Sequence, residues 1–151
     1  MQELLRVYET ARQIMRESGN PNQWGTTHPA PELLQKDILQ GTGYAVTCGN
    51  QICAAFALIP GDDPTYRVIE GQWLNDRPYA AIHRVGSDGT QRGILEAITA
   101  YASKMYADLR IDTHEENLLM QHVLEKNGYR YCGTIYLENG DPRRAYHRIS
   151  N

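Results

Sequence analysis

One stretch, residues 79–105, constrains what this chain folds into more than any other. It opens with Tyr79-Ala80-Ala81-Ile82-His83-Arg84-Val85, which reads as a buried strand, and turns through Gly86-Ser87-Asp88-Gly89-Thr90-Gln91-Arg92-Gly93. It then enters a helical pattern with Ile94, Ile98, Tyr101, Ala102 and Met105 on one face. A strand that passes through a glycine-bearing loop into a helix aims unpaired backbone N–H groups and the positive end of the helix dipole at one point. That point suits an anion, most often a phosphate. No Lys followed by Ser or Thr comes after Gly93, so this is not a Walker loop, and no G-x-G-x-x-G marks a dinucleotide site. Taken alone, the stretch also reads as a plain strand-to-helix connection whose glycines only make a turn.

The rest of the composition narrows the class. A length of 151 residues predicts one domain, 1–151, with room for a real core. Fifteen basic residues against eighteen acidic ones give a formal charge of -3 with no charged run, which disfavours nucleic acid and an anionic membrane surface as partners. No apolar run approaches the ~18 residues of a membrane span, and the start lacks a basic-then-apolar leader, so the expected location is the cytoplasm. Cys48, Cys53 and Cys132 form no C-x-x-C, and no metal site is expected. Simple register across the turn makes Cys48 and Cys53 a diagonal pair too distant for an easy bridge, so all three cysteines are expected as reduced packing residues.

Around the central stretch the order is readable. Leu4, Val7, Tyr8, Ala11, Ile14 and Met15 predict an amphipathic first helix stopped by Gly19-Asn20-Pro21. Trp24 and His28 follow in a polar loop. A second helix runs from Pro31 to near Gly41 with Leu34 and Ile38 inward. Gly43–Cys48 and Gln51–Ile59 are strands joined by Gly49-Asn50, a two-residue hairpin signal. Both faces of this hairpin are apolar, so helices are expected on both faces of its sheet. A weaker strand is expected over 66–69. Beyond the central helix, 109–112 predicts a short strand parallel to 79–85 through a crossover helix. Thr113-His114-Glu115-Glu116 reads as a capping box opening a helix that buries Met120, Val123 and Leu124 and stops at Asn127-Gly128. Strands 129–137 and 144–149, joined at Asn139-Gly140, close the chain. The predicted class is α/β: one mixed sheet flanked by helices.

With the order in place, three local stretches carry a resemblance. Asn22-Gln23-Trp24, His28-Pro29 and Lys36-Asp37-Ile38 through Gly41 form the first; Ile82-His83-Arg84-Val85 with the glycine loop is the second. The third is Asp112-Thr113-His114 with Asn117, Met120 and Glu125-Lys126-Asn127-Gly128-Tyr129. In this order the chain resembles small bacterial members of the GNAT superfamily of acetyl-CoA-dependent N-acetyltransferases. It departs from the family's Q/R-x-x-G-x-G/A loop, with Thr90 where Gln or Arg is expected and Leu95 at the second small position. Leu124 stands where many members carry a tyrosine.

The resemblance implies that acetyl-CoA is the acetyl donor and that a primary amine of a small molecule, amino acid or peptide attacks it directly in a ternary complex. It implies cofactor contacts at Val85, Gly86, Gln91, Arg92, Gly93, Ile94, Leu95 and Asn117, with backbone groups near Val85 and Gly86 polarising the thioester carbonyl. His83 is the candidate general base, matched to neutral pH by its imidazole, against a reading as a core histidine. Tyr136 is the candidate acid for the leaving thiolate, against no acid at all. Trp24, Glu70 and Trp73 are candidate acceptor-pocket residues. A homodimer fits the family's habit. Two alternatives stand beside this reading: an acetyl-CoA-binding sensor without catalysis, motivated by the altered loop, and an enzyme that acetylates a partner protein's N-terminus or lysine.

Overall fold

The computed structural model describes residues 1–150. In chain order the helices are α1 (Gln2–Glu17), α2 (Pro31–Gln40), α3 (Ile94–Ser103) and α4 (Leu118–Lys126). The strands are β1 (Gly43–Cys48), β2 (Gln51–Pro60), β3 (Glu70–Gly71), β4 (Ala80–Ser87), β5 (Asp108–Thr113), β6 (Arg130–Tyr136) and β7 (Pro142–Ile149). The strands make one mixed open sheet in the order β1-β2-β4-β5-β7-β6-β3, the α/β class expected from the sequence. Two compact units are distinguishable: Met1–Leu58 with Ile82–Ile94, and Ile59–Ala81 with Leu95–Asn151. No helix among the described residues is long and apolar enough to cross a membrane.

In the first unit, α1 buries Val7, Tyr8 and Ala11, and a cluster of Tyr8, Leu34 and Ala55 is closed by Leu4, Leu5 and Trp24. Pro31 opens α2 where a missing N–H costs nothing, and Gly41 closes it with a left-handed φ of 71°. The inward face of α2 differs from the apolar reading. Leu34 and Asp37 are buried, whereas Ile38 is half exposed, because Asp37 has an internal partner described below. In β2 the run Cys53–Leu58 is buried throughout, as a strand apolar on both faces requires.

The β1–β2 hairpin turns at Gly49-Asn50 as expected, with Cys48 opposite Gln51. Its cysteines correct the sequence reading: Cys48 and Cys53 are joined in a disulfide. Val46 pairs with Ala54 but Thr47 pairs with Ile52, so Cys53 is the extra residue of a β-bulge. The bulge brings the two Cα atoms to 5.9 Å, well inside bridging range, where an unbroken ladder leaves a diagonal pair. Only Cys132 is a free thiol.

The second unit packs Tyr66, Tyr79, Ala81, Ile135 and Ala145 together, with Ile69, Trp73 and Leu137 against them. The strand expected over 66–69 is replaced by a 3₁₀ turn at Pro64–Tyr66, then the two-residue β3. Asp63 Oδ1 accepts the Thr65 N–H at 3.0 Å and Pro64 sets the turn, so the tyrosine swings inward instead of alternating along a strand. In α3 the buried positions are Leu95, Ile98, Thr99 and Ala102, while Tyr101, and Met105 beyond the helix's end, are exposed. The face is rotated because Thr99 turns inward to share a 2.7 Å hydrogen bond with the buried Tyr129 hydroxyl. A count of apolar residues does not register that bond.

The capping box is a second correction. Thr113 is the last residue of β5, paired with Arg144, and is not free to cap. Asn117 caps α4 instead, its Oδ1 accepting the Met120 N–H at 3.1 Å. In between, His114 Nδ1 accepts the Glu116 N–H at 3.0 Å. Of the apolar α4 residues only Leu124 is fully buried; Met120 and Val123 are partly covered.

Candidate functional site

The central strand breaks its pleat at Arg84. Its φ of 54° is the only positive value among the described non-glycine residues, in a region that costs an L-residue about 1–2 kcal/mol. The guanidinium meets the Asp37 carboxylate as a fork, Nε to Oδ2 at 2.8 Å and Nη2 to Oδ1 at 2.7 Å. Both side chains are largely buried, at 14% and 8% exposure. Tyr8 donates its hydroxyl to the Arg84 carbonyl at 2.7 Å, and burial pushes that hydroxyl's pKa far up, so it stays a donor. Gly86 completes the arrangement. A Cβ there meets Tyr8 ring carbons at 2.7 and 2.8 Å, so the tyrosine lies directly on the backbone. A residue in the left-handed region turns the adjoining peptide planes out of the ladder, which is how a strand frees backbone N–H groups for a ligand. A groove of about 140 Å³ is lined by Tyr8, Asp37, Ile38, Tyr44 and Phe56 among others.

No local motif joins Asp37 to Arg84, 47 residues apart along the chain. The available signal was electrostatic: an arginine inside an apolar strand and an aspartate beside the apolar stripe of a helix each need a partner when buried. Period-two alternation, which put His83 and Val85 on one side of the strand, does not carry through a left-handed residue at 84. His83 itself is half buried on β4.

The loop after β4 is built around Asp88. Its carboxylate accepts from the Thr90 N–H at 3.0 Å and the Thr90 hydroxyl at 2.6 Å, and pairs with Arg6 at 3.2 Å. Arg6 also reaches the Ile52 carbonyl at 2.7 Å, and the Asp88 N–H bonds the Cys53 carbonyl at 3.0 Å. Burial alone would raise the Asp88 carboxyl, but the Thr90 bonds and Arg6 outweigh it and hold it below the ordinary range. The one negative charge in the loop is thus turned inward and neutralised. Gln91, Arg92 and Gly93 are exposed at the entrance to α3, Ile94 is half buried, and Leu95 is packed in the core, where only its backbone N–H is available to an anion. These residues fit a pyrophosphate: an open rim with a cation and a helix start, with Glu96 the acidic side chain of the helix's first turn.

Of the remaining predicted residues, Glu70 and Tyr136 are brought together, on the paired strands β3 and β6. Trp24 is an anchor, 5.7 Å from the Tyr8 ring and packed on the first unit's core. Trp73 is likewise occupied: its indole N–H donates to the Tyr66 carbonyl at 3.0 Å, and the Arg110 guanidinium lies 4.2 Å from its ring and 3.9 Å from that of Tyr79. Glu70 and Tyr136 are exposed on β3 and β6, and a hydrogen bond to Glu70 raises the Tyr136 hydroxyl's pKa. Asn117 spends its side-chain oxygen on the α4 cap.

His147, which no sequence motif marks, forms with Asp108 a histidine–carboxylate pair more enclosed than that of His114 and Glu116. His147 Nδ1 accepts the Leu74 N–H at 3.2 Å, so the proton is inferred on Nε2, 2.7 Å from Asp108 Oδ2. Asp108 is further held by Asn75 at 2.8 Å and Arg77 at 3.2 Å. Both ring nitrogens are committed and the residue is fully buried, so this cluster fastens the 73–77 segment to β5 and β7.

No protein-family model and no curated protein matches this sequence. Solved structures do. A GNAT-family acetyltransferase from Streptococcus agalactiae is 30% identical, with a TM-score of 0.88 over 99% of this chain and 90% of that one. A Bacillus subtilis acetyltransferase in complex with CoA is 15% identical, with a TM-score of 0.62 over 100% of this chain and 93% of that one. An agmatine N-acetyltransferase is 12% identical, with a TM-score of 0.61 over 98% and 93%. The latter two share the fold. The first shares sequence along nearly its whole length as well, and with it this chain belongs to the GNAT family of acetyltransferases.

Proposed function

We propose that this protein is an N-acetyltransferase that carries the acetyl group of acetyl-CoA to a primary amine of a small molecule, amino acid or peptide by direct attack in a ternary complex. The observation that carries the reading is the broken pleat at Arg84, immediately ahead of the loop into α3. When bound, acetyl-CoA supplies the activated thioester. The Val85 and Gly86 backbone N–H groups donate to the carbonyl oxygen as charge gathers there, a task for preorganised dipoles. Gln91, Arg92 and the N–H groups of Gly93, Ile94 and Leu95 hold the pyrophosphate, and the Asn117 amide nitrogen contacts the pantetheine arm.

His83 takes the proton from the acceptor ammonium, directly or through water, and the Tyr136 hydroxyl returns one to the departing thiolate. Glu70 offers the carboxylate that a cationic amine requires in this reading. The fold neighbour that is an agmatine N-acetyltransferase fits an amine acceptor of small size. The protein acts in the cytoplasm and as a homodimer.

A thermal melt with acetyl-CoA, CoA, ATP and NADH in parallel tests the donor first. Ligand at about 100 times its dissociation constant adds roughly 2.7 kcal/mol. At this size that raises Tm by roughly 5–10 °C. A shift with both CoA species and none with NADH is expected, followed by thiol release in an amine panel. A protein that melts identically in all four, or releases no thiol with any amine, is not this enzyme. His83→Gln and Tyr136→Phe are each expected to lower kcat about 10²-fold without weakening CoA binding.

A further inference from the structure

Arg84 keeps a backbone conformation that its own residue type disfavours, and such a conformation persists only where the surroundings over-determine it. Here the constraint acts at both ends of the residue. Asp37 grips the guanidinium through two hydrogen bonds of 2.8 and 2.7 Å, and the Tyr8 hydroxyl grips the carbonyl at 2.7 Å. Tyr8 comes from α1 and Asp37 from α2, so two separate elements converge on one residue of β4. The Tyr8 ring also lies against Gly86, close enough that no other side chain fits at that position without displacing it.

We infer that Asp37 and Tyr8 are positioning residues: they hold Arg84 left-handed so that the following peptide N–H groups face the acyl carbonyl. The inference rests on the acetyl-transfer reading above. It separates two roles that single substitutions confuse. Fastening depends on the ion pair whatever the φ of residue 84, whereas positioning depends on that φ whatever the side chain.

Glycine takes a φ of +54° without cost, so Arg84→Gly supplies the conformation without the grip. Asp37→Asn is expected to lower kcat about 10- to 100-fold, the loss that a small misplacement of an aimed group brings, with the acetyl-CoA KM within about threefold. Tyr8→Phe, which keeps the ion pair, is expected to lower kcat by roughly 3- to 10-fold at an unchanged KM. The double variant Asp37→Asn/Arg84→Gly leaves no unpaired buried charge and is expected to regain most of the lost kcat, although the ion pair is gone. Should Asp37→Asn fail to fold, the double variant and Tyr8→Phe carry the comparison. Wild-type turnover with variants of unchanged kcat overturns the inference alone, as does a double variant no more active than Asp37→Asn. A wild-type protein that releases no thiol from acetyl-CoA with any amine overturns the acetyl-transfer reading, and the inference with it.

Discussion

Gly86→Ala tests the packing beneath the central strand most directly. The new Cβ lies 2.7 Å from Tyr8 Cε1, 2.8 Å from Cδ1 and 3.6 Å from the Ala11 Cβ. The first two separations are shorter than carbon atoms tolerate, so either the ring or the strand moves. The ring has little freedom: Tyr8 is 2% exposed, its hydroxyl is bonded to Arg84, and Trp24 stands 5.7 Å away. Overpacking of this kind costs about 1–3 kcal/mol. For a domain of this size that lowers Tm by roughly 3–10 °C. Tyr8→Ala alone costs about 3–5 kcal/mol through the cavity it leaves. In that background the methyl at 86 enters vacated space, so Gly86→Ala is expected to be neutral or stabilising. The double-mutant cycle, read by urea denaturation with Tm as a check, should therefore give a coupling of about 1–3 kcal/mol between positions 8 and 86. Strict additivity, or a Gly86→Ala protein as stable as wild type, refutes the packing argument.

Asn117→Ala removes the α4 cap and is expected to cost about 1 kcal/mol. The corresponding fall is roughly 2–4 °C in Tm, and Asn117→Asp should restore it. Reduction of the Cys48–Cys53 bridge reopens a loop with a sequence separation of 5. The chain-entropy relation makes that worth about 2 kcal/mol, visible as a lower Tm in a reducing melt and absent from a Cys48→Ser/Cys53→Ala variant. Stability should also fall with acid in two steps. Burial holds His147 below its ordinary 6.5, so the unfolded chain takes up this proton first, and the contribution is complete above about pH 6.5 and shrinks below it. For Asp108 burial alone would raise the carboxyl, but bonds from Asn75 and His147 leave it below 3.8, so its contribution is lost only as pH falls through that region. Melts from pH 8 to pH 4 should show Tm declining below pH 6.5, with His147→Asn deleting the upper step; a wild-type Tm that climbs between pH 7 and pH 5 contradicts the assignment.

What the sequence by itself determined is what short-range chemistry encodes. The strand, glycine loop and helix of 80–103, the two-residue hairpin at Gly49-Asn50, the proline start and glycine stop of α2, and the close of α4 at Asn127 all rest on residues within a few positions of one another. Each was legible because propensity, period and turn chemistry agree locally. The GNAT resemblance was legible for the same reason, being a sum of such stretches in order.

The tertiary structure alone decided whatever depends on a partner far along the chain. Thr113 could not cap a helix because β7 claimed it for the sheet, and Asn117 took the role. Thr99 faces inward because of Tyr129, and Asp37 because of Arg84, at the expense of the apolar neighbours that periodicity favours. One extra residue in β2 moved Cys53 within reach of Cys48. The left-handed turn at Arg84, on which the proposed chemistry depends, is written in no local motif. There α1 and α2 each bring one polar group to the same residue, Tyr8 to its carbonyl and Asp37 to its guanidinium, and both groups lie far along the chain from residue 84.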